Sequence, residues 1–438
     1  MKRITLCIAG GGSTHTPGIV RTLLNNIDKF PVKTIRLYDI DAEKNDDMYV
    51  IIKYMLKQQG LNEIEVMKTE IPKEAFEGCD FIFSQIRVGG FKMREQDEKI
   101  PLRHGLVGQE TCGLGGFAYG LRSMGGFLEM MSYIQKFSPE AWVLNYTNPE
   151  SIIAESVRRR FPNAKIINAC DMTIGIEEVL ENTFGYDSKN WIPEYYGLNH
   201  FGWYKSIYDI ASQKDIMPEL IDKIIENGIH WDRAGESWKK AYYMMGHMVK
   251  VFPSNIPNNY LEYYLFPDMA VDGEDASYTR ANTIMDGRVK ELKEKADMIR
   301  KDYERTDIDF GSGVHGQYIV DMASSILNNL NMRFKVIVPN KGAIPNLRQD
   351  AVVEVPAYVN AKGVEPISFR EDIPDFHKGL MEAQVAAEKL LVDAFFEKSY
   401  QKALQAFTLN QSVPSARVAK QILDEMIVAN EGYWPELK

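Results

Sequence analysis

Short apolar runs alternate with helix-patterned stretches through the first 170 residues, and few folds accommodate that rhythm. Strands are predicted over residues 3–9, 33–38, 63–68, 79–86, 141–146 and 164–169. Helices are predicted over 20–27, 43–59 and 121–137, with a further one opening after Asn148. Successive βαβ units of this kind build a parallel, doubly wound sheet whose strand ends face a ligand crevice. After about residue 190 the pattern changes: WIPEYYGLNHFGWYKSIYD is aromatic and β-like, and long charged helical segments follow at 285–307 and 379–400. The expected fold class is α/β, a doubly wound domain over residues 1–193 followed by an α+β domain over residues 194–438.

The first strand runs into Gly10, Gly11, Gly12 and Ser13, and a helix with Pro17 near its start follows. Glycines there let backbone N–H groups approach a pyrophosphate at a helix N-terminus. The spacing departs from G-x-G-x-x-G, because His15 stands where the third glycine belongs, and a tight structural turn is the alternative reading. The second strand, however, ends in YDID, which places Asp39 to hold a ribose 2′-hydroxyl. A carboxylate there disfavours a 2′-phosphate, so the loop reads as a Rossmann-like site for NAD rather than NADP.

Bulk properties exclude several other classes. A net charge of −10 argues against a nucleic-acid partner, since phosphate backbones demand excess Lys and Arg. No run approaches a membrane span, and the apolar start of MKRITLCIAGGGS is too short for a secretory leader. Cys7, Cys79, Cys112 and Cys170 show no framework spacing and read as reduced thiols of a cytoplasmic protein.

The sixth strand ends in Asn168, Ala169, Cys170 and Asp171, where such a sheet presents its chemistry, and His200 interrupts an aromatic run thirty residues on. Thiolate and imidazole are common metal ligands. Two donors are too few for a closed structural site and suit a catalytic metal with open positions; softness points to zinc or iron. The competing reading is a buried cysteine packing as a small hydrophobe, with a histidine satisfied by a hydrogen bond.

Ordered motifs over nearly the whole chain carry a resemblance: IAGGGSTHTPG, IRVGGFKMREQDE, PLRHGLVGQETCGLGGFAYGLRS, NYTNPESI, NACDMTIG, GLNHFGW, NNYLEYYLFPD, YTRANTIMDGR and VEVPAY. With them the sequence resembles glycoside hydrolase family 4, whose fold is like that of lactate and malate dehydrogenases and which departs from two-carboxylate glycosidase chemistry. The resemblance implies NAD and a divalent metal, usually Mn(II), as cofactors, although a thiolate ligand suits a softer ion. It implies Cys170 and His200 as metal ligands, Asp171 as proton donor and Tyr260 as base, with Tyr263 and Tyr264 as neighbouring alternatives. Arg94, Asn148 and Arg280 match substrate-binding positions. Asp171 after the cysteine, where β-specific members carry Asn, implies a small phosphorylated disaccharide with an α-linkage, such as maltose 6′-phosphate. A homodimer or homotetramer is expected.

The implied chemistry explains a dinucleotide fold in a glycosidase. Oxidising carbon 3 of the sugar to a ketone acidifies the proton on carbon 2; its removal lets the glycosidic bond break by elimination, after which water adds and hydride returns. Simpler readings stand beside each role. Asp171 can serve as a helix cap, Tyr260 can pack among aromatics, and Arg94 and Arg280 can form surface ion pairs. Glu110 and Thr111 lie in a turn or an active-site wall, Cys112 reads as packing, and His315 as a helix-start or substrate-side residue. Rival functions are a 6-phospho-β-glucosidase, a plain NAD-dependent phosphosugar or hydroxy-acid dehydrogenase, and a non-catalytic NAD-and-sugar-phosphate sensor.

Overall fold

Thirteen strands form one sheet. They are β1 (Ile4–Ala9), β2 (Val32–Tyr38), β3 (Glu65–Thr69), β4 (Phe81–Ser84), β5 (Trp142–Asn145), β6 (Ile166–Asn168), β7 (Trp191–Leu198), β8 (Phe201–Asp209), β9 (Lys214–Asp215), β10 (Ile256–Pro257), β11 (Met332–Pro339), β12 (Val352–Asn360) and β13 (Gly363–Pro366). The computed structural model describes residues 3–232, 234–310 and 314–438, with only the backbone of 314 and 315. The side chain of His315 therefore lies outside the described residues; its backbone falls in the first turn of helix Val314–Asn328.

The first six strands run parallel in the order β3-β2-β1-β4-β5-β6, the doubly wound arrangement that the alternating pattern predicts. Every residue of β1 is buried, as expected of a strand covered on both faces. Antiparallel strands β11, β12, β7, β8 and β10 then continue the same sheet beyond β6. Local signals set the element ends. Pro17 sits in the first turn of helix Thr16–Asn25, and the Asp41 carboxylate accepts from the Lys44 N–H at 3.1 Å to cap helix Ala42–Gln58.

Helices from the second half of the chain pack on helices of the first half. Helix Val314–Asn328 packs on Thr16–Asn25, and Lys290–Lys301 packs on Ala42–Gln58. On the other face, residues from helices Asp375–Glu397, Tyr400–Leu409 and Ala416–Ala429 share a core with helix Gly113–Phe137. A third core joins helices Met172–Phe184, Met217–Asn227 and Glu236–Val251 to the antiparallel strands. The strand ends β1, β2, β4, β5 and β6 and the turn between β7 and β8 meet at one cleft of about 2490 Å3.

Candidate active site

At the start of the cleft the glycine loop is held by its own backbone. The N–H groups of Gly10 and Gly11 both donate to the Tyr38 carbonyl at 2.9 Å, which ties the loop to the end of β2. Asp39 then closes the arrangement: one carboxylate oxygen accepts from the Gly12 N–H at 2.9 Å and the other from the Asp41 N–H at 3.0 Å. Burial raises the Asp39 carboxyl above its ordinary value, against the pull of those two N–H donors. Gly12, Ser13 and Asp39 line the cleft, while Gly10 and Gly11 shape the loop beneath it.

Cys170 and His200 converge from different elements. Cys170 follows β6; His200 is the second residue of the two-residue turn between β7 and β8, with a left-handed φ of 62°. That conformation costs a residue with a side chain about 1–2 kcal/mol. Glycines pin the turn: Gly197 pairs with Gly202, and a Cβ on Gly197 would lie 2.3 Å from the Gly202 Cα. The outcome is a Cys170 Sγ to His200 Nε2 separation of 3.3 Å, with both residues buried. Sulfur and nitrogen bound to one ion sit roughly 3.0–3.6 Å apart, so the pair fits a shared divalent cation. Burial holds the His200 imidazole down at about 4, hence neutral and able to ligate at pH 7, against an upward pull from Glu110 and Asp171. Burial pushes the Cys170 thiol well up, with Asp171 and Glu354 adding; a cation is what makes it a thiolate. Among the described residues no group of three or more His, Cys, Asp and Glu side chains is arranged for a metal, so two donors leave positions open for substrate oxygens.

Asp171 follows directly, at the N-cap position of helix Met172–Phe184, but its side chain makes no capping bond to that helix. Tyr260 packs edge-on against the His200 ring with centroids 4.6 Å apart, and lies 5.6 Å from Tyr263. Burial pushes the Tyr260 phenol well above its ordinary value, Glu110 adds to this, and Arg94 opposes it. The chain's own charges therefore do not prepare Tyr260 as a base, and positive charge at the Cys170–His200 pair is what can do so. The Tyr264 hydroxyl is turned elsewhere, accepting from the Gly113 N–H at 3.4 Å.

Behind the pair lie two buried acids that sequence reasoning did not single out, Glu150 and Glu354. Glu150 accepts from the Asn145 amide at 2.9 Å, and burial raises its carboxyl well above the ordinary range. Burial likewise pushes Glu354 up to about 8, with Lys335 pulling back. Glu354 sits in VEVPAY, but the motif's apolar look hides it. A carboxyl with a raised folded-state pKa binds its proton more tightly when folded, so its contribution is full below the unfolded value near 4.5 and is lost as pH rises through about 8. Urea unfolding should show Glu354→Gln gaining on the wild type between pH 5 and pH 9, by an amount on the order of 2 kcal/mol. A pH-independent difference would mean that Glu354 is not held protonated.

Five arginines line the cleft; Arg122 is buried against Asp97, which leaves Arg87, Arg94, Arg280 and Arg288 to face a ligand. Arg94 is buried; its Nε donates to Glu98 at 2.6 Å and its Nη1 lies 3.0 Å from Glu110. Glu98 also accepts from the Ala281 N–H at 2.8 Å, which fixes the start of helix Arg280–Ile284 against helix Gly90–Arg103. Arg87 pairs with Glu110 at 2.6 Å. Burial alone would raise Glu110, but Arg87 and Arg94 bring it down to about 2. Glu110 is thus a charged wall of the cleft. Arg288 is solvent-accessible, yet crowding lowers it to about 10, first by desolvation and then by Arg280, Arg94 and Arg87. An arginine destabilised by other arginines marks a place prepared for an anion. Arg87 and Arg288 were not picked out from the sequence. Arg288 falls in a π-helical turn, Met285–Val289, which no spacing rule for an α-helix anticipates.

Asn148 lines the same cleft, and its side-chain oxygen is buried with no hydrogen-bond partner among the described residues. The structure thus brings Gly12, Ser13, Asp39, Arg94, Asn148, Cys170, Asp171, His200, Tyr260 and Arg280 to one cavity. Its volume exceeds the roughly 300–1,000 Å3 of a single small-ligand pocket, leaving room for a dinucleotide and a sugar together.

A glycine loop, a buried thiol–imidazole pair and a cluster of arginines thus share one cleft of an α/β fold. The chain belongs to the family 4 glycosyl hydrolases: the family 4 glycosyl hydrolase model matches residues 5–186, and the model of its C-terminal domain matches residues 195–413. It is 47% identical to the maltose-6′-phosphate glucosidase MalH of Clostridium acetobutylicum over 100% of both chains. A crystal structure of a 6-phospho-α-glucosidase from gut microorganisms, in complex with NAD and Mn2+, superposes with a TM-score of 0.97 at 40% identity and covers 100% of both chains. A lactate dehydrogenase from Eimeria maxima, at 11% identity, covers 90% of this chain and 96% of its own with a TM-score of 0.53, a likeness of fold alone.

Proposed function

We propose that this protein hydrolyses 6-phospho-α-glucosides such as maltose 6′-phosphate. The observation that carries the reading is the juxtaposition of the Cys170–His200 pair, Asp171 and Tyr260 between the glycine loop and the four arginines. Gly12, Ser13 and Asp39 would hold NAD, with Gly10 and Gly11 setting the loop, and Cys170 and His200 would hold Mn(II). When bound, NAD would supply reversible hydride transfer and the cation would supply Lewis acidity at the sugar oxygens. Tyr260 removes the proton on carbon 2. Asp171 donates a proton to the departing glycosidic oxygen. Arg87, Arg94, Arg280 and Arg288 bind the 6-phosphate, and Asn148 orients the sugar.

Residues 1–193 and 194–438 serve in this reading as nucleotide and substrate halves, although each supplies residues to the one cleft. A cytoplasmic location suits four free, buried cysteines, and no helix among the described residues is long and apolar enough to cross a membrane. The assembly is taken to be a homodimer or homotetramer.

One assay tests the reading: chromogenic α- and β-glucosides, each with and without a 6-phosphate, supplied with NAD and Mn2+. Only the 6-phosphorylated α-glucoside should turn over well. Maltose should fall behind maltose 6′-phosphate by a factor of roughly 10^2 to 10^4 in kcat/KM, because an anion clamp left unpaired loses several kcal/mol. Arg288→Ala should narrow that gap. Comparable constants for the two sugars would remove the phosphate assignment, and NADH accumulating in step with product would favour a dehydrogenase.

A further inference from the structure

One wall of the cleft takes no part in the chemistry above. Helix Met172–Phe184 begins beside Asp171 and turns Gly175 and Glu178 toward the cleft; positions 171, 175 and 178 share one helical face. Trp231, Trp238 and Tyr242 line the same cleft. The Trp238 and Tyr242 rings stack at 5.9 Å with 25° between their planes, and Trp231 lies 6.4 Å from Tyr242 at 34°. Tyr242 is buried and shares a core with Ile176 and Val179, so this platform is fixed to the helix that carries Asp171. The Thr183 hydroxyl donates to the His230 carbonyl at 2.8 Å and ties the two further. The Glu178 carboxylate has no hydrogen bond or ion pair among the described residues, although its charge is felt at Tyr242. Lys240, which also lines the cleft, is already committed to Glu274 at 3.0 Å and to two backbone carbonyls.

We propose that this wall is the subsite for the leaving sugar. It deepens the reading given above and rests on it. The C–H face of a pyranose is apolar and lies well on an indole, while its rim of hydroxyls donates readily to a carboxylate. A ring resting on Trp231 and Trp238 with hydroxyls on Glu178 brings its glycosidic oxygen back along the helix face toward Asp171. The occupant is a neutral sugar: the wall offers carboxylates and a spoken-for lysine, whereas unpaired positive charge lies at the arginine end. The phosphate therefore belongs on the sugar that is retained, and a disaccharide phosphorylated on its leaving sugar is refused.

Gly175 allows a direct test, because a Cβ added there meets no other atom within 4 Å. Gly175→Leu fills the subsite without disturbing packing, and Trp238→Ala removes the platform. Each is compared with wild type on two probes, maltose 6′-phosphate and the 6-phosphate of α-glucosyl fluoride, whose one-atom leaving group does not reach the wall. Both variants should lose roughly tenfold to a hundredfold in kcat/KM on maltose 6′-phosphate, and should keep wild-type turnover of the fluoride and wild-type NAD binding. An equal loss on both probes, or no loss on either, overturns the subsite. A wild type that turns over neither probe defeats the reading of the reaction, and the subsite with it.

Discussion

Cys170→Ser and His200→Ala should each lower kcat/KM for a 6-phospho-α-glucoside by a factor of roughly 10^3 or more, because a Lewis acid at the reacting oxygens contributes several kcal/mol. NAD affinity should be unchanged. The glycine loop is tied to Tyr38 and Asp39 and shares no hydrogen bond with the Cys170–His200 pair. Bound metal, counted by mass spectrometry of the desalted protein, should fall in parallel with activity. Thiol oxidants should inactivate the wild type, since the thiolate is the ligating form. Normal turnover by either variant in the presence of a chelator would remove this pair as the metal site.

The second large effect concerns the hydrogen on carbon 2. If Tyr260 removes that proton before the glycosidic bond breaks, glucose 6-phosphate released in heavy water should carry deuterium there. A displacement at carbon 1 leaves the original hydrogen in place. Tyr260→Phe should slow every substrate alike, by roughly 10^2 to 10^4, the range of general base catalysis. Asp171→Asn should instead discriminate: large losses on maltose 6′-phosphate, small ones on aryl glucosides whose leaving groups need little protonation. Proton NMR of the product decides the matter, and full retention of the carbon 2 hydrogen would reject oxidation followed by elimination.

The parallel half of the fold was legible because its strands are buried on both faces and leave long apolar runs, as in ITLCIA and FIFS. The helix predicted over 121–137 extends back to Gly113, through a GLGG stretch that disfavours a helix by propensity. Those glycines answer to packing instead: a Cβ on Gly115 would lie 2.4 Å from the Gln109 carbonyl, and one on Gly116 2.4 Å from the Thr111 backbone. Cys170 and Asp171 were legible as residues at a strand end. His200 became a partner only through a hairpin whose two-residue turn brings it back to Cys170, something no spacing rule encodes. Glu354 and Glu150 escaped notice because a protonated buried acid leaves no charge pattern in sequence. Arg87 and Arg288 escaped because a clamp is defined by convergence in space, and the pairs Arg87/Arg94 and Arg280/Arg288 meet only once the chain has folded.

Packing the last-made helices on an early one has a consequence for synthesis. Phe117, Met124 and Phe127 are sealed in the same core as Ile422, Leu423 and Met426. While the ribosome is still at work, the outer face of helix Gly113–Phe137 stays bare and sticky until the carboxyl-terminal helices emerge. The nascent chain is then a client for chaperones over most of its length, and a chain stopped before residue 416 should bind an apolar dye and aggregate rather than persist as a folded half.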